Sequence, residues 1–355
     1  MRWAGLPGRA EIEATAATIE ARQLPSGMIP WFEGGHADPW NHVEAAMALA
    51  AAGRISAADR AYEWLRATQL PGGAWHNYYL SDGSVEDARL DTNVCAYVAV
   101  GIWHHYLATG DTGVVESFWP VVSAAVDFVL SWQCAGGELT WSIDADGTPG
   151  RYALLTGSSS AYFSLRCAVA CAARIGAERP DWELAAGRLR HAIAYRQDCF
   201  EPKPRHAMDW YYPVLTGALE PEAGAERLDE RWGEFVVEGR GVRCVSDRPW
   251  VTTAETAECA MAFMSAGRCD EAHMLLGWVQ DQRMSDGAYT TGLVYPERAS
   301  FPAGEQSTYS AAAIVLATDA LFGFSLAAGL FLGRSLPAGV VLDLDVDPAA
   351  LGERA

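Results

Sequence analysis

The chain has 355 residues, half of them hydrophobic, and a formal net charge of −19 from 45 acidic and 26 basic residues. Nucleic acids and anionic membrane surfaces are normally bound by basic patches, so this charge argues against both as partners. The apolar content is ample for one large core, and no linker or low-complexity run divides the chain. We therefore predict one domain over residues 1–321, followed by a C-terminal tail over 322–355 for which the sequence predicts no structure.

The ends of the chain and its cysteines favour a cytoplasmic location. The first twenty or so residues lack the apolar segment of a secretory signal peptide. Near the other end, the apolar run from Ala320 to Gly333 spans about 14 residues, short of the roughly 20 that a membrane helix requires. The eight cysteines form no CxxC pair, so buried free thiols are expected rather than disulfides or zinc ligands.

Apolar residues recur with helical spacing along most of the chain, whereas the alternating pattern of strands is nearly absent. Helix start and stop signals predict an all-α fold of about twelve helices, near residues 9–22, 39–53, 56–69, 90–109, 113–134, 159–175, 180–199, 207–218, 222–236, 252–266, 268–283 and 305–321.

Long loops rich in Gly, Trp and Tyr separate alternate helices. They read PSGMIPWFEGG (25–35), PGGAWHNYYLSDG (71–83), AGGELTWSIDADG (135–147) and SDGAYTTGLVYPE (285–297). Alternation of short turns with long loops indicates helical hairpins that stack or close on themselves. Six hairpins closing into an (α/α)6 toroid would bring the long loops together over the ends of the inner helices. An open solenoid is the alternative arrangement.

Acidic residues at the starts of two predicted helices lie beside other polar and aromatic side chains. In HADPWNH, Asp38 is placed at an N-cap among His36, Trp40, Asn41 and His42. An aspartate there caps the helix, but this cluster contains more polar groups than a cap requires.

The second of these positions is Asp91 in RLDTNV, which either caps its helix or faces a cleft together with Asn93.

In AMDWYYP, Asp209 precedes Trp210, Tyr211 and Tyr212. An acid beside three aromatic rings is typical of a carbohydrate subsite, in which rings stack on sugars. The same rings could equally belong to the core.

Three further acidic residues lie near the last predicted helices. Glu255 and Glu258 in TTAETAEC fall one turn apart on one helix face. Glu255 is either part of a capping box or an inward-facing acid, which costs free energy unless it is paired or has a chemical role. Glu305 precedes a helix of small residues and is a candidate substrate contact, or a second catalytic acid in place of Asp38.

Familiar cofactor and nucleophile motifs are absent from the sequence. There is no GxGxxG that opens a βα unit, no P-loop, no HExxH and no GxSxG. The segment Asp144-Ala-Asp146-Gly147 lacks the remaining ligands of a calcium loop. We therefore predict no cofactor and no metal.

Several segments resemble known families. GDTGVVESFWPVVSAAVDFVLSWQ (110–133) resembles a helix of six-hairpin glycosidases, in a superfamily that also contains terpene cyclases and protein prenyltransferases. From Leu24 to about Leu321 the chain resembles actinobacterial proteins often labelled prenyltransferase-like, through LPSGMIPWFEGGHADPWNHVEAAMAL, DGSVEDARLDTNVCAYVA, MDWYYPVLTGAL, GVRCVSD, PWVTTAETAEC and GLVYPER. That family includes an endo-acting mannanase of methylated mannose polysaccharides.

The resemblance implies a glycoside hydrolase that cleaves inside an α-linked, mannose-type polysaccharide, with or without O-methyl groups, and with inversion. Asp38 and Glu255 would be its catalytic carboxylates, with Glu255 as the general acid and Asp38 as the base. The predicted substrate-binding residues are His36, Trp40, Asn41, His42, Trp75, Tyr78, Tyr79, Asp91, Asp209, Trp210, Tyr211, Trp250, Glu258 and Glu305.

Two other classes of function compete with this interpretation. A terpenoid cyclase or prenyl-transfer enzyme would have an aromatic cleft poor in Asn, His and Asp, and this sequence is rich in them. A glycan-binding protein without catalysis would keep the aromatic residues but need no opposed pair of carboxylates. The sequence does not predict an oligomeric state.

Overall fold

The computed structural model describes residues 5–340 and 342. Within that range the domain is mostly helical, as the periodicity predicts. The α-helices are α1 Arg9–Arg22, α2 Pro39–Ala51, α3 Ile55–Thr68, α4 Thr92–Ala96, α5 Val98–Thr109, α6 Thr112–Leu130, α7 Leu155–Arg174, α8 Pro180–Tyr195, α9 Ala207–Leu215, α10 Pro221–Glu230, α11 Trp232–Phe235, α12 Thr253–Ser265, α13 Cys269–Trp278 and α14 Thr308–Phe322. Short 3-10 helices cover Gln197–Cys199, Val279–Gln282 and Leu330–Leu332.

Short strands, which the sequence does not predict, lie in the segments that connect the helices. They are β1 Tyr78–Tyr79, β2 Val85–Asp87, β3 Leu90–Asp91, β4 Ser142–Ile143, β5 Val236–Val237, β6 Gly241–Val242, β7 Trp250–Thr252, β8 Gly292–Val294 and β9 Ala299–Ser300. All pair antiparallel, as β1-β2, β3-β4, β5-β6 and β7-β8-β9. Strands of two or three residues are too short to produce an alternating pattern in the sequence.

Two predicted helices are divided in the structure. The predicted helix 90–109 is assigned as α4 and α5, but Tyr97 between them keeps helical dihedral angles (φ −69°, ψ −17°). The two segments therefore continue one another. The predicted helix 222–236 is interrupted at Arg231, which leaves the helical region (φ −118°, ψ 11°), and resumes as α11.

The helices fall into an inner and an outer set. Among the inner helices, α2 packs against α5, α5 against α7, α7 against α9, α9 against α12, α12 against α14, and α14 against α2. The outer helices α1, α3, α6, α8, α10 and α13 pack respectively on α14, α2, α5, α7, α9 and α12. The inner helices α2, α12 and α14 are buried along almost their whole length, which explains why their sequences are apolar on all sides.

A repeated turn joins consecutive outer helices. After α3, the side-chain amide of Gln69 donates to the carbonyl oxygens of Gly73 and of Val121 in α6, both at 2.9 Å. Gly73 has φ +90°, and a β-carbon there would lie 2.2 Å from the carbonyl oxygen of Ala124. Gln23 with Gly27, and Gln133 with Gly137, repeat this turn against α3 and α8.

The last of these loops returns to the first helix. Gly287, which follows α13, lies against the backbone of Ala14 in α1. The Thr15 hydroxyl donates to the Gly287 carbonyl oxygen at 2.8 Å. The loop after the last outer helix is thus bonded to the first outer helix.

Part of the predicted tail packs on the domain. Phe331, in the 3-10 helix Leu330–Leu332, stacks on Phe163 of α7 with ring centroids 5.6 Å apart. The rest of the predicted tail, residues 341 and 343–355, lies outside the described residues.

In the described part, α6 is long and apolar enough to span a membrane by length and composition. In this structure it packs against α4, α5 and α7.

The repeated turn can be tested by comparing Gly73→Ala with Gly83→Ala. Both glycines have nearly the same φ, +90° and +87°, so both variants suffer the cost of a left-handed backbone, about 1–2 kcal/mol. Only at Gly73 does the new β-carbon meet the neighbouring helix, since nothing lies within 4 Å at Gly83. We expect Gly73→Ala to lose at least about 2 kcal/mol more stability in thermal or denaturant unfolding. Equal losses would contradict a tight contact with α6.

Candidate active site

A cavity of about 420 Å³ opens at the N-terminal ends of inner helices, beneath the long loops. Aromatic rings form much of its wall, and four carboxylates line it. The aromatic residues are Trp31, Trp40, Tyr78, Trp141, Tyr212, Trp250 and Tyr309, and the acidic residues are Asp38, Asp91, Glu255 and Glu258. Asn41, Asn77, Asn93 and Arg89 add further polar groups. The cavity thus combines rings, carboxylates and amides, as a saccharide site requires.

Asp38 is held by four hydrogen bonds. One oxygen accepts from the backbone N–H groups of Trp40 and Asn41 at 2.9 and 3.0 Å, which makes Asp38 the N-cap of α2. The other accepts from the Trp31 indole at 2.6 Å and the Asn41 amide at 2.7 Å. Burial raises the pKa of Asp38, and these hydrogen bonds oppose that rise. The capping and functional interpretations of Asp38 are therefore compatible.

Asp91 repeats this arrangement at the N-terminus of α4. One oxygen accepts from the backbone N–H groups of Asn93 and Val94 at 2.8 and 3.1 Å. The other accepts from the Trp141 indole at 2.6 Å. Asp91 therefore accepts three hydrogen bonds, one fewer than Asp38, which leaves a lone pair available. Although one side of the residue opens onto the cavity, burial raises its pKa to about 6.

Glu255 and Glu258 approach the same cavity from α12. Glu255 lies in the first turn of the helix, and its carboxylate contributes, after burial, to the raised pKa of the Cys244 thiol. Glu258 lies one turn deeper and accepts hydrogen bonds from the hydroxyls of Tyr211 and Tyr212. The structure therefore brings together both predicted catalytic acids, and with them Trp40, Asn41, Tyr78, Asp91, Trp250 and Glu258.

Four predicted substrate contacts belong instead to the core. Trp75 and Trp210 are fully buried, and their indoles donate to the backbone carbonyls of Leu65 and Arg227. His42 accepts from a backbone N–H and bonds a backbone carbonyl. Tyr79 is buried and accepts from a backbone N–H. The polar atoms of these four residues are thus paired inside the protein, and none of the four is among the residues that line the cavity.

Another four predicted substrate contacts lie behind residues that line the cavity. Tyr211 is fully buried and donates to Glu258. Asp209 and Glu305 accept from the hydroxyls of two threonines that do line the cavity, at 2.5 and 2.8 Å. His36 lies at the rim, with its ring 4.7 Å from that of Tyr78. These four side chains contact residues of the cavity but are not among those that line it.

Trp31, Trp141 and Arg89 line the cavity but are not among the predicted site residues. Both tryptophans lie in the long loops rich in Gly, Trp and Tyr. That position is the feature of the sequence from which they could have been identified as site residues. Arg89 donates to both carboxylate oxygens of Asp87, only two residues before it. Sequence reasoning missed these residues because their importance comes from a partner, Asp38, Asp91 or Asp87, whose proximity only the fold reveals.

Comparison with known proteins identifies the family. No family model matches the chain. The MMP endo-(1,4)-3-O-methyl-α-D-mannosidase of Mycolicibacterium hassiacum is 48% identical over 344 residues, which cover 96% of this chain and 95% of that protein. The chain belongs to this glycosidase family. The resemblance inferred from the sequence motifs is thereby confirmed, and so is the prediction of a glycoside hydrolase.

Solved structures of the same fold are much more distant in sequence. A glycosidase in complex with glucose aligns with a TM-score of 0.70 at 16% identity, over 93% of this chain and 98% of its own. A D-mannose isomerase aligns with a TM-score of 0.66 at 16% identity, over 87% and 96%. The GH63 mannosylglycerate hydrolase of Thermus thermophilus aligns with a TM-score of 0.67 at 12% identity, over 86% and 99%. These likenesses show the fold.

The titration of Asp91 should be visible in the stability of the protein. Its pKa is raised to about 6 in the fold from an ordinary 3.8. The folded protein therefore binds this proton more tightly, and the resulting stabilisation is complete below about pH 4 and lost as the pH rises through 6. Relative to the native chain, Asp91→Asn should become more stable by on the order of 2 kcal/mol between pH 4 and pH 7, as measured by urea unfolding.

The exposed N-cap Asp111 provides the matched control for this measurement, because Asp111→Asn changes a cap of α6 away from the cavity. If the two variants follow the same pH dependence, burial at the cavity does not perturb Asp91.

Proposed function

We propose that this protein hydrolyses internal α-(1,4) bonds of a 3-O-methylmannose polysaccharide. The observation that carries the proposal is the cavity, in which four carboxylates stand among aromatic rings on the scaffold of this family. The named activity of the relative from M. hassiacum supplies the substrate class. The amide and guanidinium groups of the cavity support a sugar over an isoprenoid, whose site would need few such groups.

We further propose that the scaffold is an (α/α)6 toroid. Its support is the order of the contacts, in which each inner helix packs on the next and α14 packs on α2. The bond between the last long loop and α1 also favours a closed arrangement over an open solenoid. The eight cysteines, all unpaired thiols, support the proposal of a cytoplasmic location.

Catalysis is proposed to require Glu255 and an aspartate that faces it. Glu255 would protonate the leaving oxygen, and the aspartate would activate water; a separation of about 6.5–9.5 Å between the two would give inversion. The sequence points to Asp38 as this base. Asp91 requires a parallel test, because Asp38 already accepts four hydrogen bonds, whereas Asp91 accepts three.

The position of Asp91 relative to α12 supports this comparison. α4, which Asp91 caps, contacts α2 and α7, whereas α12 contacts α9 and α14. The inner helices contact one another in the order α2, α5, α7, α9, α12, α14 and again α2. Because α4 continues into α5, two inner helices lie between the helix of Asp91 and that of Glu255 whichever way this order is followed. Asp38 is closer to Glu255 in that order, because only α14 lies between α2 and α12.

The central prediction concerns the three carboxylates. Glu255→Gln should reduce the hydrolysis of 3-O-methylmannose oligosaccharides roughly 10²- to 10⁴-fold, because a general acid contributes that much. Of Asp38→Asn and Asp91→Asn, the variant that removes the base should lose a similar factor. The other should lose mainly affinity. Product masses after incubation with methylated and unmethylated α-1,4-mannose oligosaccharides measure both effects.

Matched controls are carboxylates in the same local position but outside the cavity. Glu183 occupies the first turn of α8 and Asp111 the N-cap of α6, so Glu183→Gln and Asp111→Asn should retain full activity. An active Glu255→Gln would refute the assignment of the acid. A native protein that binds the oligosaccharides without shortening them would instead be a glycan-binding protein.

A further inference from the structure

Two exposed aromatic rings lie outside the cavity, each against a tryptophan that lines it. Tyr152 is 36% exposed and stacks on Trp141, with ring centroids 5.4 Å apart and an angle of 14° between the planes. Phe301 is 54% exposed and stands perpendicular to Trp250, also with centroids 5.4 Å apart. A single exposed ring is common on protein surfaces, but these two continue the aromatic wall of the cavity outwards.

The same kind of hydrogen bond fixes both pairs, because each tryptophan donates to the backbone carbonyl oxygen of its exposed neighbour. The backbone N–H of Trp141 donates to Tyr152 at 3.0 Å, and the indole N–H of Trp250 donates to Phe301 at 3.0 Å. Gly292 makes room for that indole, since a β-carbon there would lie 2.4 Å from the Trp250 indole nitrogen. The position of each exposed residue is therefore tied to a wall of the cavity.

The two pairs lie on opposite sides of the cavity. The Trp141 indole donates to Asp91, which caps α4, whereas Trp250 lies in β7, directly before α12. Because α4 continues into α5, two inner helices separate these positions whichever way the contact order is followed. A line from one exposed ring to the other therefore crosses the cavity that holds the four carboxylates.

A polysaccharide that is cut at an internal bond has sugar units on both sides of that bond. The cavity of about 420 Å³ lies near the lower end of the roughly 300–1,000 Å³ that small-molecule sites occupy. A long chain must therefore leave the cavity in two directions. Aromatic rings outside the cavity offer apolar surface to the departing units, and each O-methyl group adds apolar surface to a sugar.

We propose that Tyr152 and Phe301 bind the outgoing ends of the substrate chain, one on each side of the cavity. This rests on the proposed function, because it takes a mannose-type polysaccharide as the ligand. Lys203, whose ammonium nitrogen lies 5.3 Å from the centroid of the Tyr152 ring, adds a hydrogen-bond donor for sugar oxygens at that end. Continuity of both rings with the cavity wall favours the substrate chain over a protein partner as their occupant.

The test measures kcat/KM for reducing-end-labelled 3-O-methylmannose oligosaccharides of increasing length. Tyr152→Ala and Phe301→Ala should each lower the ratio of kcat/KM between the longest and the shortest cleaved oligosaccharide roughly 3- to 10-fold, as the loss of one aromatic contact implies. Tyr152→Trp and Phe301→Trp keep a ring and should restore the ratio. Because the rings bind opposite ends of the chain, the two alanine variants should also shift the cleaved bond in opposite directions along the labelled oligosaccharides.

The matched control is Phe322→Ala. Phe322 is 39% exposed and stacks on Phe324, with ring centroids 5.6 Å apart. It ends α14, whose other end reaches the cavity through Tyr309, so this variant should change neither the ratio nor the cleaved bond. Native ratios in both alanine variants at the cavity, or cleaved bonds that shift in the same direction, would overturn the proposal.

Calorimetric titration with the same oligosaccharides separates this proposal from the proposed function. If the native protein binds longer chains more tightly without cutting them, and both alanine variants lose that gain, the proposed function fails and the two outer positions stand. If hydrolysis depends on length equally in the native protein and the variants, the function stands and the outer positions are refuted. If Phe301→Ala alters sedimentation but not binding, the ring belongs to a contact between copies of this chain, which also refutes them.

Discussion

The N-terminal ends of the inner helices are the constraint on which the site depends. Each helix begins with backbone N–H groups that have no partner within the helix, and several of these ends meet at one cavity. At α2 and α4 the partner is an aspartate whose second oxygen is held by an indole from a long loop. The requirement for caps therefore places carboxylates and aromatic rings at the same location. The same aspartates, Asp38 and Asp91, cap the helices and line the cavity.

The same end of the domain must also tolerate an accumulation of negative charge. Four carboxylates line the cavity, and Glu44 lies just below it. Nearby cations are few: Arg89 is already paired with Asp87. The protein stabilises these acids instead with backbone, indole, amide and hydroxyl donors, which favour ionised forms without neutralising them. Burial is the largest cause of the raised pKa values of Asp38, Asp91 and Glu258, and the hydrogen-bond donors oppose that rise.

Sequence reasoning predicted the helices well because they are long and strongly periodic, and it located Asp38, Asp91 and Glu255 because caps have a recognisable local pattern. It failed for Trp75 and Trp210, since a tryptophan in a polar loop and one in the core have similar sequence surroundings. It overlooked Glu44 because an acid within a helix is normally solvated. Only the packing of α2 between α5 and α14 makes that glutamate buried.

The architecture by itself does not determine the reaction, because structures as similar to this one as a glycosidase and a D-mannose isomerase differ in chemistry. What differs between such proteins must lie in their side chains rather than in their common architecture. In this chain Asp38 caps α2, Asp91 caps α4, and Glu255 and Glu258 lie on α12. These four carboxylates meet at one cavity only because the helices pack around it.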